Sequence, residues 1–444
     1  MTWEDPLLAA WEETLARKRD APAIFTTRGE VVRTFREIEE RARAMRAQTP
    51  KIKPHNVRAV QIGNHEDWPS ILLTSLRTQQ IVFPIDESVG KQQVEAAVSI
   101  AAKGGVMDWA DKPPTLFKLT SGTTAGPRII RFRSEQLLAD CDQICETMGI
   151  EDVDVNFGAI PISHSYGFSN LLTPLIARGV PLVLSHDRTP RALLVDITRT
   201  KATVFPGTPA FYQALAEIDD APVLFPLRLC VSAGAPLPVS VARKFRQKFG
   251  LSIHSFYGAS ECGGICYDRD ASNEIDGFVG QPMKHVDLAM IDRDAQVSQI
   301  RVRSAAVGDG YFPEENREKL GNGVFVPDDL LTKTADGFRI VGRVSDVINV
   351  AGKKVHPAEV EAQLRHFAGV REAVAFGRES TLRNEEVAAC VVTHGDVTES
   401  ALLEFCREHL SPWQVPRRIF ILEELPVNER GKISRRELAR RFGP

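Results

Sequence analysis

Cysteine is scarce and follows no pattern: seven residues in a chain of 444, an odd number scattered along its length. That excludes the dense disulfide framework of a small secreted domain. A chain this long, against roughly 150 residues per domain, has room for two or three domains and a core that needs no staples. Cys141/Cys145 and Cys262/Cys266 each make a C-x-x-x-C, but neither has the tighter spacing or the nearby paired histidine of a zinc site. Small buried thiols are the expectation. Long apolar runs are missing as well; no stretch of about 18 such residues occurs, so no membrane span is expected. Residues 1–20 lack the basic start, apolar core and small-residue cleavage site of a signal peptide, and a cytoplasmic location follows as the expectation. An excess of charge of one sign is also absent. Lys+Arg number 55 against 58 Asp+Glu, a net charge of −3, which gives no support to a nucleic-acid-binding or disordered chain. The local basic run Arg435, Arg436, Arg440 and Arg441 is read as a solvated helix face. There is no internal repeat and no low-complexity segment.

What is present is an alternation of helix-like and strand-like signals. Thr34-Phe35-Arg36-Glu37 has the form of a capping box ahead of Phe35, Ile38, Ala42 and Met45, apolar at steps of three and four, which predicts an amphipathic helix. Short apolar runs at 57–62, 81–85, 181–185, 202–205 and 227–232 are separated by helix-length segments. Such continuous runs suit parallel strands buried on both faces. From about Val286 the texture shifts to shorter pieces (286–291, 300–302, 338–341) with Gly and Asp between them, predicting a small, barrel-like sheet. The last hundred residues read as helix 357–366, strands 370–376 and 386–393, helix 399–409 and strand 418–421. The fold class is therefore α/β: a large N-terminal domain, 1–345, of layered parallel-type sheets with helices plus the small barrel-like sheet, then a small α+β domain, 346–444.

The most informative stretch is Leu119-Thr120-Ser121-Gly122-Thr123-Thr124-Ala125-Gly126-Pro127-Arg128. Small and hydroxylated residues followed by Gly, Pro and a cation suit a loop whose N–H groups, hydroxyls and guanidinium face phosphate oxygens. It is not a Walker loop, since the G-x-x-x-x-G-K-[ST] spacing fails, and Gly431-Lys432 lacks the upstream glycine.

Thr120 to Arg128 resemble T-S-G-T-T-G-x-P-K, the phosphate loop of the acyl-adenylate-forming superfamily, which includes acyl- and aryl-CoA synthetases, peptide-synthetase adenylation domains and luciferases. Ala125 stands for a Gly and Arg128 for the Lys. Four more segments match in family order. Tyr257-Gly258-Ala259-Ser260-Glu261 resembles Y-G-x-[TS]-E, and 342–348 resembles G-R-x-x-D-x-I. Residues 352–361 resemble G-x-x-[VI]-x-P-x-E-[VI]-E with one extra residue, and 426–432 resemble P-x-[TN]-x-x-G-K.

The resemblance implies activation of a carboxylic acid by ATP as acyl-AMP, with loss of pyrophosphate, followed by transfer to a thiol. Carboxylate and triphosphate repel, so such catalysis is largely positioning and charge neutralisation. It assigns Thr120, Ser121, Gly122, Thr123, Thr124 and Arg128 to the phosphates. Tyr257, Gly258, Ser260, Gly234 and Ala235 would lie around the nucleotide, and Glu261 would hold Mg2+. Lys432 would bridge carboxylate and α-phosphate oxygens. The family's ribose-binding T-G-D is reduced here to Val326-Pro327-Asp328-Asp329, giving Asp329, or Asp328 if the register slips, with Arg343 as the second ribose contact. Asp346 falls at the family's hinge, about which the small C-terminal domain would be mobile, exchanging Lys432 for the thioester-step loop of Gly352 and Lys353. Lys353 would meet a CoA phosphate or remain solvated.

Residues 161–168 resemble the P-x-x-H-x-x-G segment that lines the acyl pocket, which brings in His164 and Phe168, with Gly234 and Ala259 beside them. His164 is a pocket wall or a satisfied core histidine. Amino-acid-activating relatives usually carry Asp where His164 falls, so the implied acid lacks an α-amine. The thiol acceptor is coenzyme A or the phosphopantetheine of an acyl carrier protein. A non-catalytic acyl-adenylate binder stands as the reading of another class. The altered loop and ribose segment favour a specialised or weakened enzyme, and the retained Glu261, Asp329, Arg343 and Lys432 oppose an inactive one.

Overall fold

The computed structural model describes residues 5–48, 53–107, 109, 113–120, 128–272, 274–380, 384–426 and 434–442. The chain divides into two units. The first takes in 1–290, 301–327 and 334–339; the second takes in 291–300, 328–333 and 340–444. The second unit thus gathers two short earlier stretches in addition to the C-terminal segment, and its last stretch opens at Ile340, six residues before the boundary read from the sequence.

In the first unit one sheet runs in the order Val31–Thr34, Pro22–Thr26, Leu182–Leu184, Asn156–Gly158, Val204–Gly207, Leu229–Ser232, Ile253–Ala259, Gly263–Tyr267 and Phe278–Pro282. From Pro22–Thr26 to Ile253–Ala259 the neighbours are parallel, while the strands outside these are antiparallel. The parallel part is where the sequence shows unbroken apolar runs, because helices such as Pro209–Glu217 and Val239–Phe249 bury a face of it through Phe205, Tyr212, Leu215 and Phe245. A second sheet has the order Gly310–Phe312, Arg128–Phe132, Leu116–Thr120, Ile81–Pro84, Val57–Val60. The capping box is realised: Thr34 Oγ1 accepts from Glu37 N at 3.2 Å, and Glu37 Oε2 accepts from Thr34 N at 2.7 Å, at the start of helix Phe35–Gln48.

The short strands expected after Val286 are present at Asp287–Met290, Ser298–Arg303 and Gly337–Arg343, and Asp329–Thr334 is a further strand outside that expectation. In the second unit Val370–Ser380 and Asn384–Thr393 form a long antiparallel pair, and Arg418–Leu422 runs parallel to the latter. Successive side chains of a strand point to opposite faces. Val387, Ala389 and Val391 accordingly pack under helices Pro357–His366 and Glu399–His409, whereas Ala388, Cys390 and Val392 pack against Leu425 and Leu438. Among the described residues no helix is long and apolar enough to cross a membrane.

Candidate active site

In the first unit the site grows out of two hairpins. Strands Leu116–Thr120 and Arg128–Phe132 pair antiparallel with Thr120 opposite Arg128, so the two ends of the segment 121–127 are held side by side. Ser121, Gly122, Thr123, Thr124 and Ala125 lie outside the described residues, as does Lys432. The second hairpin joins Ile253–Ala259 to Gly263–Tyr267, with Ala259 opposite Gly263 and Cys262 N donating to Ala259 O at 3.2 Å. Ser260, Glu261 and Cys262 form its tip.

Glycine makes that tip possible. A Cβ on Gly258 would stand 2.6 Å from Gly263 O, and Gly263 itself has φ +68° with the Asp140 carboxylate against the place a Cβ would occupy. Asp140 Oδ1 accepts from Gly264 N at 3.0 Å. Gly308 N donates to Glu261 O at 2.8 Å, and the Tyr311 hydroxyl donates to Glu261 Oε1 at 3.0 Å. The guanidinium of Arg128 lies 5.4 Å from the centre of the Tyr311 ring. Arg128 and Glu261, 133 residues apart, are thereby brought to one aromatic side chain.

Behind the tip sits a charge that the sequence reading passed over. Lys118 is buried, with its ammonium 4.6 Å from the Phe132 ring centre and 5.8 Å from that of Phe168. Burial pushes its pKa down, opposed by the negative charges of Asp140 and Glu261 and by the Cys262 thiol. The signal was a lysine on the inward face of the apolar strand Leu-Phe-Lys-Leu-Thr. Tyr311 was missed because Gly310–Phe312 is a three-residue strand, too short for periodicity to show.

The remaining candidates in this unit fall as follows. Tyr257 and Phe168 are buried, and Phe168 packs in the interior. Ala259 and Ser260 are half-buried, and Gly234 and Ala235 are exposed just beyond strand Leu229–Ser232. Gly234 has φ +88°, and a Cβ there would meet nothing within 4 Å. His164 is exposed, so it is not a core histidine; its Nε2 lies 3.1 Å from Asp86 Oδ2. Burial alone would raise the Asp86 pKa, but hydrogen bonds from Ser88 and Ser163 and the His164 ring hold it below the usual range.

In the second unit Arg343 Nε donates to Asp329 Oδ1 at 2.9 Å, which joins the two residues assigned to the ribose, while Asp328 O accepts from Val344 N. Asp346 ends the short helical turn Val344–Asp346 and meets Arg435 Nη1 at 2.8 Å. The reading of Arg435 as part of a solvated face is corrected here: it also donates to Glu361 Oε1 at 2.7 Å and to Ala375 O at 3.0 Å. Three acceptors in a fork suit a planar guanidinium. Arg440 and Arg441 are exposed. Gly352, φ +83°, turns the hairpin that pairs Val350 with Lys353, and the Lys353 ammonium lies 5.6 Å from the Trp413 ring centre.

All seven cysteines are buried free thiols. Among the described residues no group of three or more His, Cys, Asp or Glu is placed to hold a metal. Magnesium that arrives on a triphosphate needs only one or two carboxylates besides the phosphates. Glu261, an oxygen donor with one oxygen already oriented by Tyr311, fits that demand.

Residues 109–312 match the AMP-binding enzyme family, and residues 359–432 match its C-terminal domain. The chain belongs to this family, the acyl-adenylate-forming enzymes, and by that membership to the AMP-forming acid–thiol ligases. It is similar to the 3,4-dihydroxybenzoate–[aryl-carrier protein] ligase of Bacillus anthracis, at 27% identity over 75% of each chain. A long-chain-fatty-acid–CoA ligase of Bacillus subtilis is 29% identical over 73% of this chain and 61% of its own length. Among solved structures, ATP-bound MatB from Rhodopseudomonas palustris superposes with a TM-score of 0.85 over 98% of both chains at 20% identity, a likeness of fold.

Proposed function

We propose that the chain couples a carboxylic acid without an α-amine to AMP, releasing pyrophosphate, and then passes the acyl group to the thiol of coenzyme A. The observation that carries the reading is the meeting of Arg128 and Glu261 at Tyr311, which puts a phosphate-seeking cation beside a magnesium-seeking carboxylate. Bringing two anions together is the main obstacle in the first step, and fixed charges aimed at the triphosphate lower it.

In this reading Thr120, Ser121, Gly122, Thr123, Thr124 and Arg128 receive the β- and γ-phosphates. Tyr257, Gly258, Ser260, Gly234 and Ala235 surround the adenylate, and Asp329 with Arg343 holds the ribose. Lys432 sets its ammonium between the acid's carboxylate and the α-phosphate. Mg2+, when bound through Glu261, supplies neutralisation of the phosphate charge. Asp346 is the hinge of a mobile segment 346–444, which withdraws Lys432 and presents Gly352 and Lys353 for the thioester step. His164, Ala259 and Phe168 border the acid. An α-ammonium is disfavoured because Asp86, the carboxylate beside His164, is already engaged by His164, Ser88 and Ser163.

The test is incubation of the protein with Mg2+-ATP and aliphatic, aryl and amino acids, with and without CoA, following pyrophosphate and acyl products by mass spectrometry. An acyl-CoA that requires CoA and is lost in Lys432→Ala is the expected result. Acyl-AMP without thioester would transfer the second step to a carrier-protein phosphopantetheine, as the name of the Bacillus anthracis relative describes for that protein. Ligand binding without turnover, unchanged in Lys432→Ala, would overturn the catalytic reading.

A further inference from the structure

Tyr311 belongs to none of the segments that single out the phosphate loop or the Glu261 turn, yet it touches both. Its strand, Gly310–Phe312, pairs antiparallel with Arg128–Phe132, placing Tyr311 opposite Ile130. Just before it, Asp309 N donates to Arg131 O at 2.9 Å and Gly308 N donates to Glu261 O at 2.8 Å. The backbone from 308 to 312 is therefore bonded on one side to the strand that leaves the phosphate loop and on the other to the hairpin tip. The side chain repeats the connection: the ring faces the Arg128 guanidinium at 5.4 Å, and the hydroxyl donates to Glu261 Oε1 at 3.0 Å. Tyr311 is 3% exposed, so neither end is free to turn away.

We infer that Tyr311 is the positioning residue of the nucleotide site, its hydroxyl aiming the Glu261 carboxylate at magnesium and its ring face aiming Arg128 at the phosphates. The inference rests on the proposed ATP-dependent reaction. A hydrogen bond to a carboxylate fixes the rotamer and selects which oxygen is turned outward, and a cation held over a ring keeps its N–H groups in a set plane. The two ends of one side chain thus serve two partners that attract the same substrate through opposite charges. They are separable by substitution. Tyr311→Phe keeps the ring and removes the hydroxyl; Tyr311→Leu removes both.

The experiment measures ATP binding by calorimetry with the full chain, once in excess MgCl2 and once in EDTA, alongside the magnesium dependence of pyrophosphate release. For Tyr311→Phe we expect binding in EDTA to match wild type. Binding in magnesium should weaken, and the half-saturating magnesium concentration should rise about tenfold, the size of a lost hydrogen bond to a charged group. For Tyr311→Leu, binding in EDTA should weaken as well. Thermal melting of both variants reports folding. A folded Tyr311→Phe whose binding in magnesium and half-saturating magnesium both stay within twofold of wild type would overturn the inference. So would equal losses with and without magnesium, which is what a general loosening of the site would give. A wild-type protein that binds Mg2+-ATP yet releases no pyrophosphate with any acid would defeat the proposed reaction and leave the calorimetric comparison to decide Tyr311 by itself. A wild-type protein that binds no ATP would overturn both.

Discussion

Asp346 and Arg435, 89 residues apart, meet at 2.8 Å in the second unit. The same guanidinium reaches Glu361, so one arginine gathers the residue proposed as the hinge and a helix of the C-terminal core, and does so at the start of the helix that follows Lys432 in the chain. Attraction to Glu361 and Asp346 outweighs burial and raises the arginine's pKa, so it stays charged.

Removing that guanidinium leaves Glu361, a buried carboxylate, without its cation. Arg435→Met is expected to cost the second unit roughly 1–3 kcal/mol, the penalty for leaving a buried polar group short of a partner, because Arg435 is half-buried and Glu361 keeps the Ala375 N–H. Arg435→Lys should recover part of it, and Asp346→Asn should cost less than Arg435→Met. Urea unfolding of the three variants followed by tryptophan fluorescence, which includes Trp413 of this unit, checks the order.

The Asp329–Arg343 pair is expected to act on the nucleotide and not on the acid. Arg343→Met and Asp329→Asn should each raise the KM for ATP about tenfold while leaving the KM for the acid within twofold. Steady-state kinetics with each substrate varied in turn decides it. A rise confined to the acid would remove the pair from the ribose assignment.

Acid stability should owe much to Asp154. Burial on its own would raise this carboxyl, but hydrogen bonds from Arg228, Glu151 N and Thr203 and the charge of Arg228 hold it below the ordinary aspartate value of about 3.9. A folded-state pKa below the unfolded one means that the unfolded chain binds the proton more tightly. The contribution is therefore complete at neutral pH and is lost as pH falls below about 4 toward the folded-state pKa. Asp154→Asn should melt lower at pH 7 and show a shallower decline between pH 5 and 3, as read from thermal melts across that range.

The thiols should be silent. Burial pushes Cys230 and Cys390 up to about 12 and Cys406 to about 11 and raises Cys262 and Cys266 too, while a hydrogen bond with Cys145, with burial behind it, raises Cys141. Thiolate is the reactive form. A chromogenic disulfide reagent at mildly alkaline pH should therefore find none of the seven in the folded protein and all of them in urea. A fast-reacting thiol in the native state would contradict the burial described here.

Helices Pro357–His366 and Glu399–His409 agree with the sequence reading at both ends, because Pro at the first helical position and Thr398 as a cap mark their starts in the chain itself. The parallel strands were legible because they are buried on both faces. What escaped was long-range. Lys118 breaks the apolar pattern of its strand, and what offsets its burial comes from other elements, the charges of Asp140 and Glu261 and the rings of Phe132 and Phe168. Arg435 reads as one more basic residue on a helix until Asp346 and Glu361 arrive from elsewhere. The site segments could be read from order and residue type, whereas the tie through Tyr311 depends on the pairing of 310–312 with 128–132, which no local pattern announces.

The glycines at the Glu261 turn constrain how this family member can diverge. Gly258 and Gly263 are excluded from gaining side chains by a carbonyl oxygen and by Asp140, and a Cβ on Gly264 would stand 2.4 Å from the sulfur of Met283. Ser260 and Cys262, between them, meet no such bar in the backbone. Single substitutions can therefore be tried at Ser260 while the carboxylate it flanks keeps its place, whereas Cys262, wholly buried, accepts only side chains close to its own size. A directed library at this turn should return variation at 260, small residues at 262 and near silence at 258, 263 and 264.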